Sequence, residues 1–104
     1  MNGFDDRRRG FEDQYRREQE LAFRRAARRN RLFGKWAAGR LQLSGPAADQ
    51  YAESVVAADF QEPGDEDVLA KIGQDLSAKS IPVTSAELRA KLDECGREAQ
   101  AQIR

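Results

Sequence analysis

The sequence of 104 residues contains no histidine and one cysteine, Cys95. Without an imidazole the chain can form neither a Ser-His-Asp nor a Cys-His arrangement, and it lacks the commonest zinc ligand. A single thiol can build neither an intramolecular disulfide nor a thiolate metal site. The phrase Gly34-Lys35-Trp36 lacks the upstream glycine and the following Ser/Thr of a phosphate-binding loop. We therefore expect that the protein is not an enzyme and carries neither a cofactor nor a metal.

Long apolar runs are also missing. The longest are a few residues, far below the ~20 that a bilayer-spanning helix needs. Residues 1–9 are polar and contain no apolar stretch of the kind found in a secretory leader. We expect a soluble protein of the reducing cytoplasm that does not insert into a membrane.

Proline is scarce, and its positions divide the chain. The three prolines, at 46, 63 and 82, each lie near a break between segments with helical periodicity. Residues up to 18 carry few apolar groups to offset the cost of ordering them. The pattern predicts an all-α four-helix bundle with a long first helix and a flexible N-terminal arm. The arm is residues 1–18 and the helical domain is 19–104, with helices at about 19–42, 45–60, 65–79 and 85–103.

The last helix has the clearest start signal. Thr84 and Glu87 are spaced as a capping box, and Val83 and Leu88 as a hydrophobic staple. The positions that follow at helical spacing form one apolar stripe, which comprises Leu88, Leu92, Cys95, Ala99 and Ile103. We therefore expect Cys95 to be a core residue.

Two further local features have simple structural interpretations. The acidic residues 62–67 could bind a divalent cation, but their position at the start of the third helix favours helix initiation. Ser44 can cap the second helix. Gly34 and Gly39 lie inside the first helix, and we interpret them as points of close helix contact beside Trp36.

The charge is divided along the chain. Residues 1–40 hold 12 of the 18 Lys/Arg and 6 of the 18 Asp/Glu, so a basic first part precedes an acidic body. On a helix, Arg24, Arg28 and Arg31 share one side. We favour a solvated face or an intramolecular match to the acidic helices. Binding to a protein partner and binding to nucleic acid are the alternatives.

The N-terminal segment combines aromatic and charged residues. Phe4, Phe11 and Tyr15 follow one another at seven- and four-residue spacing, which places them along one helical stripe. The segment is therefore either an ordinary flexible terminus or a recognition helix that folds on its target. In the second case its aromatic rings enter a groove and its arginines pair with carboxylates.

Two internal stretches resemble a known family. Residues 28–38 (RRNRLFGKWAA) and 55–69 (VVAADFQEPGDEDVL) are similar to the zeta-type ATPase inhibitor subunit of alphaproteobacterial F-type ATP synthases. The opening Phe4-Asp5-Asp6-Arg7, followed by Phe11-Glu12, matches the family's N-terminal pattern. The resemblance extends over nearly the whole chain, although Gly10 departs from it by weakening a helix there.

This resemblance implies a four-helix inhibitory subunit that binds the catalytic head of the ATP synthase and blocks ATP hydrolysis and rotation through its N-terminal arm. It implies a cytoplasmic location, peripheral to the inner membrane when bound, and no nucleic-acid partner. A nucleic-acid-binding or adaptor module that uses the Arg-rich first helix is the alternative. The residues expected to contact the partner are Phe4, Asp5, Arg7, Arg8, Arg9, Phe11 and Tyr15, with Arg24, Arg28 and Arg31 as a second group.

Overall fold

The computed structural model describes residues 3–59 and 64–104, and the side chains of residues 10–59 and 64–104. It confirms the all-α, four-helix architecture, and no strand occurs in this part of the chain. Three helices end within one or two residues of their predicted bounds. The first is longer than predicted, because it continues without a break through the expected start at residue 19. The helices are α1 (Gly3–Arg40), α2 (Gly45–Ala58), α3 (Glu66–Ala78) and α4 (Ser85–Gln102).

Helix α1 is the axis of the molecule. It packs against each of the other three helices, while α3 lies between α2 and α4 and contacts both. A helix of 38 residues is about 57 Å long at 1.5 Å per residue. The molecule is accordingly elongated, with extents of 66, 26 and 23 Å. The flexibility predicted for residues 1–18 stays a prediction.

The core is formed by the C-terminal half of α1 and one face of each of the other helices. Phe33 and Ala37 of α1 are fully buried against Val55, Ile72 and Leu92. The apolar stripe predicted for α4 is confirmed from Leu88 to Ala99, whereas Ile103 is half-buried. The buried apolar side chains are Phe33, Ala37, Ala38, Ala52, Val55, Val68, Ile72, Leu76, Leu88, Leu92, Cys95 and Ala99.

The start of each short helix follows from its local sequence. The Oγ1 of Thr84 accepts a hydrogen bond from the backbone N–H of Glu87 at 3.0 Å, which confirms the predicted cap of α4. Ser44 occupies the N-cap position of α2, but its side chain makes no capping hydrogen bond. The carboxylates of Glu66 and Asp67 lie in the first turn of α3, where they complement the helix dipole.

The two glycines of the first helix differ in their surroundings. A Cβ atom built on Gly34 would lie 2.8 Å from the Cα of Ala52 and 3.2 Å from two atoms of Val55. The close helix contact predicted at Gly34 is therefore confirmed. At Gly39 the same prediction is wrong, because a Cβ atom there would meet nothing within 4 Å.

Helices α1 and α3 end in the same way, with a residue in the left-handed conformation. At the end of α1 this residue is Gln42 (φ 63°), and at the end of α3 it is Ser80 (φ 58°). The backbone N–H of Leu43 donates to the carbonyl of Ala38 at 2.8 Å, and Gln42 N–H donates to Gly39. This pair of bonds is a Schellman motif, which satisfies carbonyls that the helix leaves without partners.

Candidate protein-interaction site

The N-terminal half of α1 extends beyond the core. Every side chain from residue 10 to residue 20 is exposed. Most of these side chains are charged or amides, so the sequence supplies no continuous apolar stripe to bury. We call residues 10–20 the exposed segment of α1.

Two aromatic rings stand on this exposed segment. Phe11 and Tyr15 are 74% and 59% exposed, and their four-residue spacing places them side by side on the helix. Gln19 and Phe23 continue the same row at four-residue steps, and Phe23 is also mostly exposed. The predicted partner-binding residues Phe11 and Tyr15 are thus together and accessible. The side chains of Phe4, Asp5, Arg7, Arg8 and Arg9 lie outside the described residues.

Because every side chain of the exposed segment is exposed, packing against the other helices contributes little to its stability. Asp13 precedes Arg17 by four residues, an order that stabilises an isolated helix by about 0.2–0.5 kcal/mol. Gly10 opposes this, since glycine in a helix costs ~1 kcal/mol relative to alanine. A helix that rests on such small terms is marginal in water.

Most of the basic residues between positions 24 and 40 of α1 bond to other parts of the molecule. Arg31 pairs with Glu53 of α2 at 2.7 Å, and Lys35 pairs with Asp49 of the same helix. The Nε of Arg25 donates to the carbonyl of Ile103 at 2.7 Å. For Arg31 and Lys35 the expected match between the basic helix and the acidic helices is confirmed, whereas Arg25 bonds to a backbone carbonyl.

The second predicted group lies beside an open hollow between α1 and the end of α4. The hollow has a volume of about 470 Å³ and is lined by Arg24, Arg28 and Arg31 together with apolar side chains. Arg28 donates from Nε to Gln102 Oε1 at 2.6 Å. Arg24 is exposed, and no ion pair joins it to another residue that the structure describes.

A polar cluster that the sequence analysis missed ties three helices together. Arg29 of α1 contacts Asp65 at 3.0 Å and Asp59 at 3.9 Å, each from a different part of the linker between α2 and α3. The other Asp65 oxygen lies 3.4 Å from Arg89 of α4. Asp65 therefore bridges two arginines that lie on different helices.

Beside this cluster, Asn30 is almost completely buried at 1% exposure. Its Oδ1 accepts a hydrogen bond from Arg29 Nε at 3.1 Å, while its Nδ2 has no partner among the described residues. The sequence carried a signal for this burial. Asn30 stands between Ala26 and Phe33 at four- and three-residue spacing, on the row of α1 that faces the core.

Among the residues whose side chains the structure describes, two titratable groups have pKa values shifted by their surroundings. Burial raises the pKa of the Cys95 thiol, which confirms its expected place in the core. Burial also raises the pKa of Tyr51, and a 2.8 Å hydrogen bond to Asp75 adds to the shift. Both groups are therefore held in their neutral forms near pH 7, so Cys95 lacks the thiolate that nucleophilic chemistry requires.

These features define the class of the protein. Among residues 10–59 and 64–104, no cluster of three side chains is suited to hold a metal ion. In the same part of the chain no helix has both the length and the apolar character to cross a bilayer. The described residues form a small helical bundle with an exposed aromatic row on a projecting helix. This arrangement is suited to contact with another protein.

The chain belongs to the family of ATPase inhibitor subunit zeta, whose family model matches residues 1–102. This confirms the resemblance seen in the sequence and agrees with a regulatory, non-catalytic role. A search of curated proteins found no match. A protein solved by solution NMR is 45% identical to this chain, with a TM-score of 0.71. That similarity covers 79% of this chain and 93% of the other.

Proposed function

We propose that this protein is an inhibitory subunit that binds the catalytic head of F-type ATP synthase and blocks ATP hydrolysis and rotation through residues 1–18. The observation that carries the proposal is the exposed row of Phe11 and Tyr15 on the part of α1 that projects from the bundle. Membership of the ATPase inhibitor subunit zeta family supports it. The site of action is the cytoplasmic face of the inner membrane, where the protein is peripheral.

Steric obstruction is enough for such a function. A rotary enzyme stops when a bound segment holds a subunit interface in one state, so the inhibitor needs binding energy and no catalytic group. A large aromatic side chain that becomes fully buried contributes about 1.5–3 kcal/mol. Phe11 and Tyr15 are largely exposed in the free protein, so most of this energy is still available for a partner.

Part of that binding energy is offset by the cost of ordering the arm. A marginal helix that becomes fixed in a groove loses affinity to the ordering of its backbone and side chains. In exchange it can enter an interface that opens only transiently. We propose that Phe4, Phe11 and Tyr15 enter an apolar groove of the head, while Arg7, Arg8 and Arg9 pair with carboxylates and Asp5 with a cation.

The test is ATP hydrolysis by the isolated catalytic head, measured with the full chain added in increasing amounts. The parent chain should depress hydrolysis. The Phe11→Ala/Tyr15→Ala double variant should inhibit with a half-maximal concentration at least tenfold higher, because two buried rings are removed from the interface.

A matched control lies on the opposite side of the same segment. Asp13→Ala/Arg17→Ala also changes two exposed residues four apart and leaves the net charge unchanged. It should inhibit nearly as the parent does, because losing the Asp13–Arg17 pair costs only about 0.2–0.5 kcal/mol. If removing residues 1–18 left full potency in a chain whose bundle still unfolds cooperatively, the arm mechanism would be wrong.

The alternative of a nucleic-acid-binding module receives less support from the contacts. Arg31 and Lys35 already pair with carboxylates of α2, and Phe33, which could stack on a base, is fully buried. Such a module would bind oligonucleotides with an affinity that falls steeply as salt is raised. An adaptor role without inhibition would be indicated by a stable complex with the head that leaves hydrolysis unchanged.

A further inference from the structure

The second group of arginines lies on the part of α1 that is next to the bundle. The hollow beside it is lined by Arg24, Arg28 and Arg31 and by the apolar side chains of Phe23, Ala27 and Ile103. Among the residues whose side chains the structure describes, no acidic one lines it. Two carboxylates bond to its lining residues: that of Glu53 pairs with Arg31 at 2.7 Å, and that of Glu98 accepts from Gln102 Nε2 at 3.3 Å.

The three arginines are not equally available. The guanidinium group of Arg31 is already paired, because its Nε and Nη2 lie 2.9 and 2.7 Å from the same Glu53 oxygen. Arg28 uses only its Nε, which donates to the neutral amide oxygen of Gln102. A guanidinium has five N–H donors, so most of those of Arg28 can serve another acceptor. Arg24 is exposed and makes no ion pair with another described residue.

We infer that this hollow is a second docking site for the catalytic head, and that it binds an acidic segment bearing an apolar side chain. Arg24 and Arg28 pair with carboxylates of that segment, and its apolar side chain packs against Ala27 and Ile103. The inference rests on the function proposed above and extends it from the arm to the bundle.

Charge complementarity selects this occupant. Guanidinium forks match the geometry of carboxylates and form two parallel hydrogen bonds with each. The apolar part of the lining favours a segment that also presents an apolar side chain over a free anion. Of the three arginines that line the hollow, Arg31 pairs with the carboxylate of Glu53, whereas Arg24 and Arg28 pair with no carboxylate of the described residues, so an excess of positive charge remains there.

The hollow is also well placed relative to the arm. Arg24 follows Tyr15 by nine residues on one continuous helix, a distance of about 14 Å along its axis. Contacts at both places would be made by one helix, on sides that nine residues set about half a turn apart. When the hollow is occupied, the arm is held close to its groove, which raises its effective concentration there.

The test is the binding of full-length variants to the isolated head, measured directly and as inhibition. Arg24→Ala/Arg28→Ala should raise Kd about tenfold and should reduce the dependence of Kd on salt. Maximal inhibition at saturating concentration should remain that of the parent, since the arm is intact. Arg31→Ala should change Kd by a smaller factor, because Glu53 already holds that side chain. The exposed Arg97 of α4 supplies a matched control, and Arg97→Ala should bind as the parent does.

Several results would overturn the inference. One is an unchanged Kd for the double variant on a head that the parent inhibits. Another is a loss of maximal inhibition without a change in Kd. A third is that the double variant binds a single-stranded oligonucleotide more weakly than the parent but binds the head equally well. That result would make the hollow a nucleic-acid site. Failure of the parent chain itself to inhibit would instead contradict the proposed function.

Discussion

At the scale of single residues, the packing of α1 against α2 depends on the absence of a side chain. Gly34 lets the two helices approach until the position of a Cβ would be 2.8 Å from the Cα of Ala52. Ala52 and Val55, on the facing side of α2, are fully buried. A methyl group at position 34 could be accepted only by moving the backbone of α2, and a close-packed core resists such a shift.

We therefore expect Gly34→Ala to lower the free energy of unfolding by about 1–3 kcal/mol, as overpacking does in well-packed cores. Urea denaturation followed by circular dichroism measures this. Gly39→Ala is the matched control in the same helix. It should leave stability unchanged or raise it by up to ~1 kcal/mol, because alanine is the better helix former. Equal effects at the two positions would contradict the close contact at Gly34.

A second residue-scale prediction concerns the end of α1. Gln42 holds a left-handed conformation. This conformation costs a residue with a side chain roughly 1 kcal/mol more than it costs glycine. Gln42→Gly should raise the free energy of unfolding by about 0.5–1 kcal/mol in a thermal or urea melt. Gln42→Ala keeps a Cβ and should bring no such gain. A fall in stability with glycine would mean that the Gln42 side chain contributes more than its strain costs.

At the scale of helices, the two halves of α1 are held by different forces. The C-terminal half is buried against three helices, while the exposed segment depends on its own backbone and on neighbouring side chains. Asp65 adds a polar link, because it connects Arg29 of α1 to Arg89 of α4 at the start of α3. Its oxygens make these ion pairs instead of a capping hydrogen bond.

We expect Asp65→Asn to lower the free energy of unfolding by about 0.5–1 kcal/mol at low salt and by less at 0.5 M salt, since part-exposed ion pairs are screened. Urea melts at two salt concentrations test this. Asp49→Asn breaks a pair whose side chains are 51% and 62% exposed and should have a smaller effect. If salt did not change the loss of stability in Asp65→Asn, Asp65 would be acting through packing and not through its ion pairs.

The sequence predicted the helices better than the site. The starts of α2, α3 and α4 follow from caps and prolines within a few residues of each helix end, so local rules were sufficient. Helix α1 extends back to Gly3 from the predicted start at about residue 19, because low apolar content ends the buried part of a helix before it ends the helix. The side chains of Phe11 and Tyr15 are exposed as the arm interpretation requires, and their role in binding stays a prediction.

At the scale of the whole molecule, the chain lacks a charge switch near neutral pH. It contains no histidine, the side chain whose ordinary pKa lies in that range. The two groups with raised pKa values, Cys95 and Tyr51, move further into the alkaline range. Folding and binding should therefore depend little on pH between 6.5 and 8.

For stability the sign follows from the raised pKa values. A group whose pKa is higher in the folded than in the unfolded state stabilises fully below its unfolded pKa, which is about 8.5 for cysteine and about 10 for tyrosine. The contribution is lost as the pH rises above those values. We expect the free energy of unfolding to be flat from pH 6.5 to 8 and to fall by pH 9.5. Cys95→Ala should show a smaller fall over that alkaline interval.

Inhibition should also depend little on pH. We expect the half-maximal inhibitory concentration of the full chain to change little between pH 6.5 and 8, when each value is normalised to the uninhibited head at that pH. A steep loss of inhibition across this range, with folding unaffected, would show that a titrating group in the interface had been missed.

Local physics allowed the sequence alone to determine the number of helices, the cap at Thr84, the buried position of Cys95 and the absence of histidine chemistry. These features depend on residues a few positions apart. Tertiary structure alone decided which basic residues are already paired. Arg31 finds Glu53 22 residues away, and Arg25 reaches Ile103 78 residues away. It also decided that Gly34 is a close contact and Gly39 is not, because steric contact depends on a neighbouring helix whose position the local pattern does not encode.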